Sequence, residues 1–534
     1  MASLHGKLGE VAFSHSVDLP AAGAETVELD PSTHPQLRLV EPRLWWPNGH
    51  GEPHLYDVEL WVETDAGRSA IESFQTGVRQ MTYEEVGGAL HLLVNGRRVV
   101  PRGGNWGFPE ANLRYRGREY DTAMKYHRDM NFTMVRNWVG QTADEEFYEA
   151  ADRHGILVWQ DFWLANPLDG PDPDDETLFE SNVRDTIRRI RNHPSVGLYC
   201  GRNEGHPPPS LDERLAAAID ELHPEIHYIP NSIFGTVSGG GPYGVRPKEW
   251  YFTERATPKP HSELGMTSVV TLDSLRRMMP EEELWPMGLH WGLHDFNLQS
   301  NQRARDFVAM IDRAYGGADE LVDWVDLAQL VNYEGYRAMF EAQGQNRKGL
   351  QLWMSHPAWP SLTWQTYDYY FNPHAAYFGA KKGSEPLHIQ WNPVTDAVEV
   401  VNYGVVGASG LTAHAEILNL DGSVAWQTEV GLDSGYDSVE SPIVLEFPVA
   451  VSPVHFIRLR LAQEGASISE NFYWRGTEIG NYKALRTLPE VSLDVGTEVV
   501  REGDEYILST RIRNPSASPA LGVRLVVVGA ESGD

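Results

Sequence analysis

The strongest constraint on what this chain can fold into is a repeating pattern that begins near residue 90 and runs to about residue 383, in which short apolar runs alternate with amphipathic helical stretches. The runs are Arg98–Pro101 (RVVP), Thr133–Trp138 (TMVRNW), Ile156–Asp161 (ILVWQD), Val196–Cys200 (VGLYC), His227–Pro230 (HYIP) and Leu350–Met354 (LQLWM). Short continuous apolar runs suit strands buried on both faces of a parallel sheet. Such alternation over roughly 300 residues matches a (β/α)8 TIM barrel with its loops. The rival is a doubly wound open sheet, and no G-x-G-x-x-G follows the first run to support it.

The intervening helices are signposted. Thr142 with Glu145 reads as a capping box, Phe147 and Ala151 then share a face, and His154-Gly155 ends the helix. A second helix is expected over Glu176–Asn192, with Phe179, Val183, Ile187 and Ile190 as its apolar stripe. Acids cluster at its start and Arg188, Arg189 and Arg191 at its end, matching the helix dipole. Ser210 with Glu213 predicts a further cap and a helix to Leu222.

On either side the pattern changes to strands. Residues 8–80 carry alternating segments such as Glu59–Glu63 between turns such as Pro47-Asn48-Gly49. After Pro386, strands recur at His388–Trp391 and Val398–Asn402, and again over 488–534, ending in the apolar run Leu521–Val528. The expected layout is an immunoglobulin-like β-sandwich at 1–85, a TIM-barrel domain at 86–385, and β-sandwiches at 386–480 and 481–534. The first and last are short against the usual sandwich of about 100 residues, so the chain is expected to be cut at both ends.

Charge and motif content exclude several functions. A net charge of −31 repels phosphate backbones and anionic membrane surfaces, so neither nucleic acid nor membrane is an expected partner. No apolar run reaches membrane-spanning length. The N-terminus, MASLHGK, is not a signal peptide. Cys200 is the only cysteine, so no intrachain disulfide forms. There is no Walker loop, H-E-x-x-H, G-x-S-x-G or paired C-x-x-C. Gly235–Gly244 lacks phosphate-binding spacing and reads as a mobile loop. His290 and His294 stand four residues apart with no carboxylate pattern to complete a metal site, and read as structural. No metal or organic cofactor is expected.

Two carboxylates stand out by position. Glu204 directly follows the run Val196–Cys200, and the C-terminal strand ends of a barrel carry its catalytic groups. Asn203 beside it could hold a sugar 2-hydroxyl. Glu263 is the single acid of Lys259-Pro-His-Ser-Glu-Leu-Gly, and spacing alone leaves its role open. Cleaving an acetal needs a proton for the leaving oxygen and support for an oxocarbenium-like centre, which two carboxyls about 5–5.5 Å apart supply by double displacement. Asn105 and Trp106 beyond the first run, and Arg136, Asn137, Trp138, Asp161 and Trp353 at the ends of later ones, are strand-end residues that would line the same pocket. Arg136 could pair with a neighbouring Glu, or form a salt bridge at the far end of the barrel. Of the 17 tryptophans, most read as core, and those near the carboxylates as platforms for sugar rings.

With these residues the chain resembles glycoside hydrolase family 2. The matching stretches are Pro42-Arg-Leu-Trp-Trp-Pro-Asn-Gly, Arg102-Gly-Gly-Asn-Trp, Val135-Arg-Asn-Trp, Ile156-Leu-Val-Trp-Gln-Asp, Arg202-Asn-Glu, Ser262-Glu-Leu-Gly and Leu352-Trp-Met with Ala358-Trp-Pro-Ser. The resemblance implies a retaining exo-β-glycosidase acting on oligosaccharides or glycans. It makes Glu204 the acid/base at the end of the barrel's fourth strand and Glu263 the nucleophile on the seventh. It adds Trp359, in the last stretch, to the pocket. It also implies a sugar-binding jelly roll ahead of this chain. The resemblance is to the branch holding β-mannosidases, exo-β-glucosaminidases and endo-β-mannosidases. Exo-glucosaminidases carry Asp where this chain has Glu204, which tilts the expectation to a β-mannoside, although Gly205-His-Pro-Pro-Pro departs from the usual β-mannosidase continuation. A carbohydrate-binding fragment without activity is the alternative of a different class.

Overall fold

The computed structural model describes residues 2–19, 23–108, 110–253, 259–503 and 505–527, and divides into two compact units. The first is Met1–Pro242 with Thr257–Leu264 and Asn346–Trp359; the second is Tyr243–Ala256 with Gly265–Gln345 and Pro360–Asp534.

The first unit is built on a seven-stranded parallel sheet. Its strands are β1 (Arg102–Trp106), β2 (Met134–Asn137), β3 (Leu157–Asp161), β4 (Val196–Arg202), β5 (Tyr228–Asn231), β6 (His261–Leu264) and β7 (Leu350–Leu352). In space they run β5-β4-β3-β2-β1-β7-β6. An isolated parallel bridge between Ser238 and His261 adds one rung beyond β6. Every residue of β1 to β4, β6 and β7 is buried, as a sheet covered on both faces requires.

Five of the six apolar runs overlap a strand of this sheet. The first does not. Arg98–Pro101, expected as the opening parallel strand, ends an antiparallel hairpin in which Arg97–Val99 pairs with Ala89–Val94. The parallel strand is the glycine-bearing segment that follows. A Cβ on Gly103 would stand 1.7 Å from the Met134 carbonyl oxygen, and one on Gly104 would stand 2.4 Å from the Ser355 Cβ. Glycine lets the neighbouring backbone approach, and it also removes the hydrophobic signature by which a strand is read.

Helices α1 (Arg118–Asp129), α2 (Glu145–His154), α3 (Glu176–Ile190) and α4 (Pro209–Leu222) connect β1 to β5. In α3, Val183, Ile187 and Ile190 are buried, each contributing about 1.5–3 kcal/mol. The Asp175 carboxylate accepts from the Thr177 and Leu178 N–H groups at 3.0 Å, closing the first turn. Gly155 takes the left-handed conformation that ends α2, with φ 69°. Two expected caps are absent. Asp144, not Thr142, stands at the N-cap of α2, and the Thr142 hydroxyl instead accepts from the Trp106 indole at 3.0 Å. Ser210 lies inside the first turn of α4 and donates to the Glu176 carboxylate at 2.7 Å. In both cases a tertiary partner outcompetes the local one.

The N-terminal part of this unit is antiparallel. Ala2–Leu8 pairs with Val11–Val17 and with Tyr56–Thr64, and Met81–Val86, Ala89–Val94 and Arg97–Val99 form a second sheet. It docks where the parallel strands begin. The Trp45 indole donates to the Asp152 carbonyl at 2.9 Å, Asn48 donates to the Arg128 and Phe132 carbonyls, and Arg79 donates to the Pro194 and Val196 carbonyls. The opposite, C-terminal strand ends are left to the connecting loops.

The second unit contains two antiparallel sheets. One is ordered Leu387–Trp391, Ala397–Asn402, Ser438–Val444; the other Val424–Ser434, Ala408–Asn419, Val454–Gln463, Ala466–Gly476. Ile389, Val398, Val400, Ile417, Ile457 and Leu459 are fully buried between them. Among the described residues, Asp494–Glu502 and Glu505–Arg513 pair only with each other. Of the expected strand Leu521–Val528, residues 521–527 form no strand, and Val528 lies outside the described residues.

Candidate active site

Side chains alternate along a strand, so neighbours at a strand end face opposite ways. On β1, β2 and β3 the residues Asn105, Arg136 and Asp161 turn to one face, while Trp106, Asn137 and Gln160 turn to the other. The second set packs toward the helices. Trp106 is fully buried and lies parallel to the His356 ring, with centroids 4.3 Å apart. Asn137 donates to the Thr142 carbonyl at 2.7 Å and to Gln160 at 3.0 Å. Neither is placed to touch a substrate over the first set.

The first set converges on one guanidinium. Arg136, wholly buried, donates through Nη2 to Asp161 at 2.7 Å and to Asn203 Oδ1 at 2.8 Å, and through Nη1 to Glu263 Oε1 at 2.8 Å and to Asn105 Oδ1 at 3.2 Å. Burial disfavours the charge on Arg136, but the carboxylates of Asp161 and Glu263 outweigh it and push the pKa above its ordinary value. Arg136 also lies over the Trp159 ring at 5.1 Å. The supports are themselves held. Asn105 Nδ2 donates to the Ser262 carbonyl at 2.7 Å and the Leu352 carbonyl at 3.0 Å, tying β1 to β6 and β7. Asp161 accepts the Val139 N–H at 3.0 Å.

Glu263 is 2% exposed, and Glu204 is half-buried. Glu204 has φ 46°, a left-handed backbone that costs roughly 1 kcal/mol for a residue other than glycine. Such outliers concentrate at functional sites. The turn is held from below. The Glu204 N–H donates to the Ser232 hydroxyl at 3.0 Å, and that hydroxyl donates to Asn203 Oδ1 at 3.2 Å.

The segment expected as a mobile loop is instead bonded in place. Ser238 donates its N–H to the Pro260 carbonyl at 2.9 Å and accepts the Ser262 N–H at 2.7 Å, and Gly241 donates its N–H to the Glu263 carbonyl at 3.1 Å. A Cβ on Gly239 would stand 2.1 Å from the Ser262 hydroxyl, and one on Gly240 would stand 3.7 Å from Glu204 Oε1. Gly239–Gly241 therefore runs close beside both carboxylate-bearing residues, where larger side chains would fill the space. Burial pushes the His261 pKa down to about 4, and its Nε2 lies 2.9 Å from the Gly241 carbonyl. A neutral ring facing a carbonyl carries its proton on that nitrogen, so Nδ1 accepts from the Ser238 hydroxyl at 3.0 Å.

Of the remaining expected residues, Trp138 and Trp353 form an edge-to-face pair with centroids 4.9 Å apart. The Trp353 N–H donates to the Leu264 carbonyl at 2.9 Å, which places it beside the end of β6. Trp359 is 44% exposed. Ser232, Trp159, His261 and the glycine segment were not anticipated. Ser232 directly follows the end of β5, so the strand-end rule that found Asn203 would also have found it. The glycines carry no side-chain signal.

Parallel strands with helical crossovers, antiparallel β-domains in the same chain, and the buried carboxylates of Asp161 and Glu263 on one arginine hub resemble a multidomain glycoside hydrolase in class. The comparisons narrow this to a family. Residues 2–79 match the model for glycosyl hydrolases family 2, and residues 471–534 match that for the exo-β-D-glucosaminidase Ig-fold domain. A mannosylglycoprotein endo-β-mannosidase from Lilium longiflorum is 30% identical over 91% of this chain and 58% of its own length. An exo-β-D-glucosaminidase from Streptomyces avermitilis is 31% identical over 89% of this chain and 56% of its own. The crystal structure of an Amycolatopsis orientalis exo-chitosanase superposes with TM-score 0.87 at 24% identity, over 97% of this chain and 67% of that one. A Dictyoglomus thermophilum β-D-mannosidase superposes with TM-score 0.82 at 19% identity, over 96% of this chain and 66% of that one. The chain belongs to glycoside hydrolase family 2, and it spans less than three fifths of the length of the two sequence relatives.

Proposed function

We propose that this chain carries the catalytic centre of a retaining β-glycosidase, with Glu263 as nucleophile and Glu204 as acid/base. The observation that carries the reading is the shared guanidinium: Arg136 donates both to Glu263 and to Asn203, the residue next to Glu204. A carboxylate buried against Arg136 suits attack on the anomeric carbon, and a half-buried carboxyl suits proton exchange with a leaving oxygen and then with water. Glu204 protonates the glycosidic oxygen as that bond breaks, and Glu263 forms the ester to C1. Water, losing its proton to Glu204, then breaks the ester. In this reading Asn203 holds the 2-hydroxyl, and Trp138, Trp353 and Trp359 form pocket walls. Asn105 and Asp161 act by fixing Arg136.

The same reading takes the parallel sheet as a closed (β/α)8 barrel. The Ser238 segment supplies the strand between β5 and β6, making Glu263 part of the seventh strand. The accompanying domain layout is 1–85, 86–385, 386–480 and 481–534. The substrate is a terminal β-linked sugar of an oligosaccharide, a β-mannoside first. Glu204, where exo-glucosaminidases carry Asp, supports that choice. Exo-β-glucosaminidase and endo-β-mannosidase action are the alternatives, each in the printed name of a relative.

A panel of p-nitrophenyl β-glycosides tests both activity and sugar. The β-mannoside should be cleaved fastest. Glu263→Gln should lower turnover by more than about 10³-fold. Glu204→Ala should cleave the activated aryl substrate yet stall at the glycosyl-enzyme, and added azide should release the β-glycosyl azide. Release of the α-azide, or near-full activity of either variant, would remove these roles.

A further inference from the structure

Exposed aromatic residues are unevenly placed in the first unit. Among its described residues, five Phe, Tyr or Trp side chains are exposed: Phe74 at 38%, Phe108 at 47%, Trp163 at 37%, Phe234 at 54% and Trp359 at 44%. Phe74 belongs to the N-terminal sheet. The other four follow the C-terminal ends of β1, β3, β5 and β7. None stands in the loops that lead into the strands. Water gives no reason to hold large rings on one end of a sheet only, whereas the C–H faces of sugar rings do.

One of the four is built into the acid/base turn. Phe234 faces His206 with ring planes 2° apart and centroids 6.1 Å apart. One amide meets the Phe234 backbone and the His206 ring. The Phe234 N–H donates to Asn231 Oδ1 at 2.5 Å, and the other end of the same amide lies 3.2 Å from His206 Nε2. His206 stands two residues after Glu204, and Phe234 two residues after Ser232, whose hydroxyl holds the Glu204 N–H. Phe234 is thus an exposed apolar ring on a backbone tied to the turn that carries the group that must touch the leaving oxygen.

We propose that His206 and Phe234 form the binding site for the leaving-group sugar, so that the substrate is a β-linked oligosaccharide whose second ring lies on Phe234. The inference rests on the hydrolase reading above. The apolar face of the sugar packs on the phenyl ring, and the imidazole edge meets its hydroxyls. The platform therefore acts only while the leaving sugar is attached, in the step that forms the glycosyl-enzyme.

That restriction supplies the test. A β-glycosyl fluoride forms the same glycosyl-enzyme but has no leaving sugar. Phe234→Ala should lower kcat/KM for the β-linked disaccharide and trisaccharide by roughly tenfold or more, leave the fluoride within about twofold, and be rescued on the oligosaccharides by Phe234→Trp. Equal losses on both substrate types, or no loss on either, overturn the platform while leaving the hydrolase reading intact. A wild-type chain inactive on the fluoride and on the oligosaccharides overturns both.

Discussion

At the scale of single residues, Arg136 organises the site. It is the one cation bonded to Asp161, Glu263, Asn105 and Asn203 together, and no part of it reaches solvent. Arg136→Met would leave two buried carboxylates without their countercharge, a loss of about 3–5 kcal/mol. Arg136→Lys keeps the charge but cannot span four acceptors. We expect the lysine variant to fold, with a thermal midpoint close to the parent, and to lose at least about 100-fold in kcat for an aryl glycoside. Parent-like kcat would show that charge alone suffices. Sequence reading reached this cluster because parallel strands deliver their final side chains to one end, so a position at or just past the end of an apolar run pointed to Arg136, Asp161, Asn203 and Glu204, whereas Asn105 was reached from a run that is not a strand of the sheet. It grouped Trp106 and Asn137 with them because a linear pattern does not say which face a strand-end residue takes until the register is known. Glu263 stayed undecided on spacing, since the four-residue strand bearing it carries little hydrophobic signature of its own.

Among elements, α2 and the turn before β4 are joined by a charged core. His193, 6% exposed, lies 2.6 Å from Asp152 and 2.8 Å from Glu145, and Asp152 also accepts the Ser195 N–H. Burial lowers the His193 pKa, but the bonds to Asp152 and Glu145 outweigh it and raise it to about 9. A group whose pKa is higher in the folded state stabilises that state fully below its unfolded value of 6.5, and the contribution disappears as pH rises through 9. The thermal midpoint should therefore fall between those values, by an amount worth up to about 3 kcal/mol. His193→Gln should flatten the decline. A parent midpoint constant across that window would exclude the charged histidine. Nothing in the local sequence announced this triad, because its members lie 41 and 48 residues apart and meet only when the helix packs. The α3 stripe was readable for the converse reason: all its partners recur at helical spacing.

For the whole molecule, the two compact units each have a hydrophobic core of their own, one around the parallel sheet and one between the antiparallel sheets. Unfolding should then depart from a single two-state step. Scanning calorimetry is expected to resolve two endotherms, or one whose calorimetric enthalpy exceeds the van't Hoff value. Equality of the two enthalpies would show that the units melt as one. The single arginine under both carboxylate-bearing turns has a further consequence. Residues hung from a common post share its displacements, so thermal motion shifts them together and leaves their separation little changed. The loops above the post that carry Trp163 and Trp359 are free to diverge in length and sidedness without detuning the chemistry beneath. A chain built this way can acquire a new sugar preference by exchanging rim loops, with the reaction itself inherited intact.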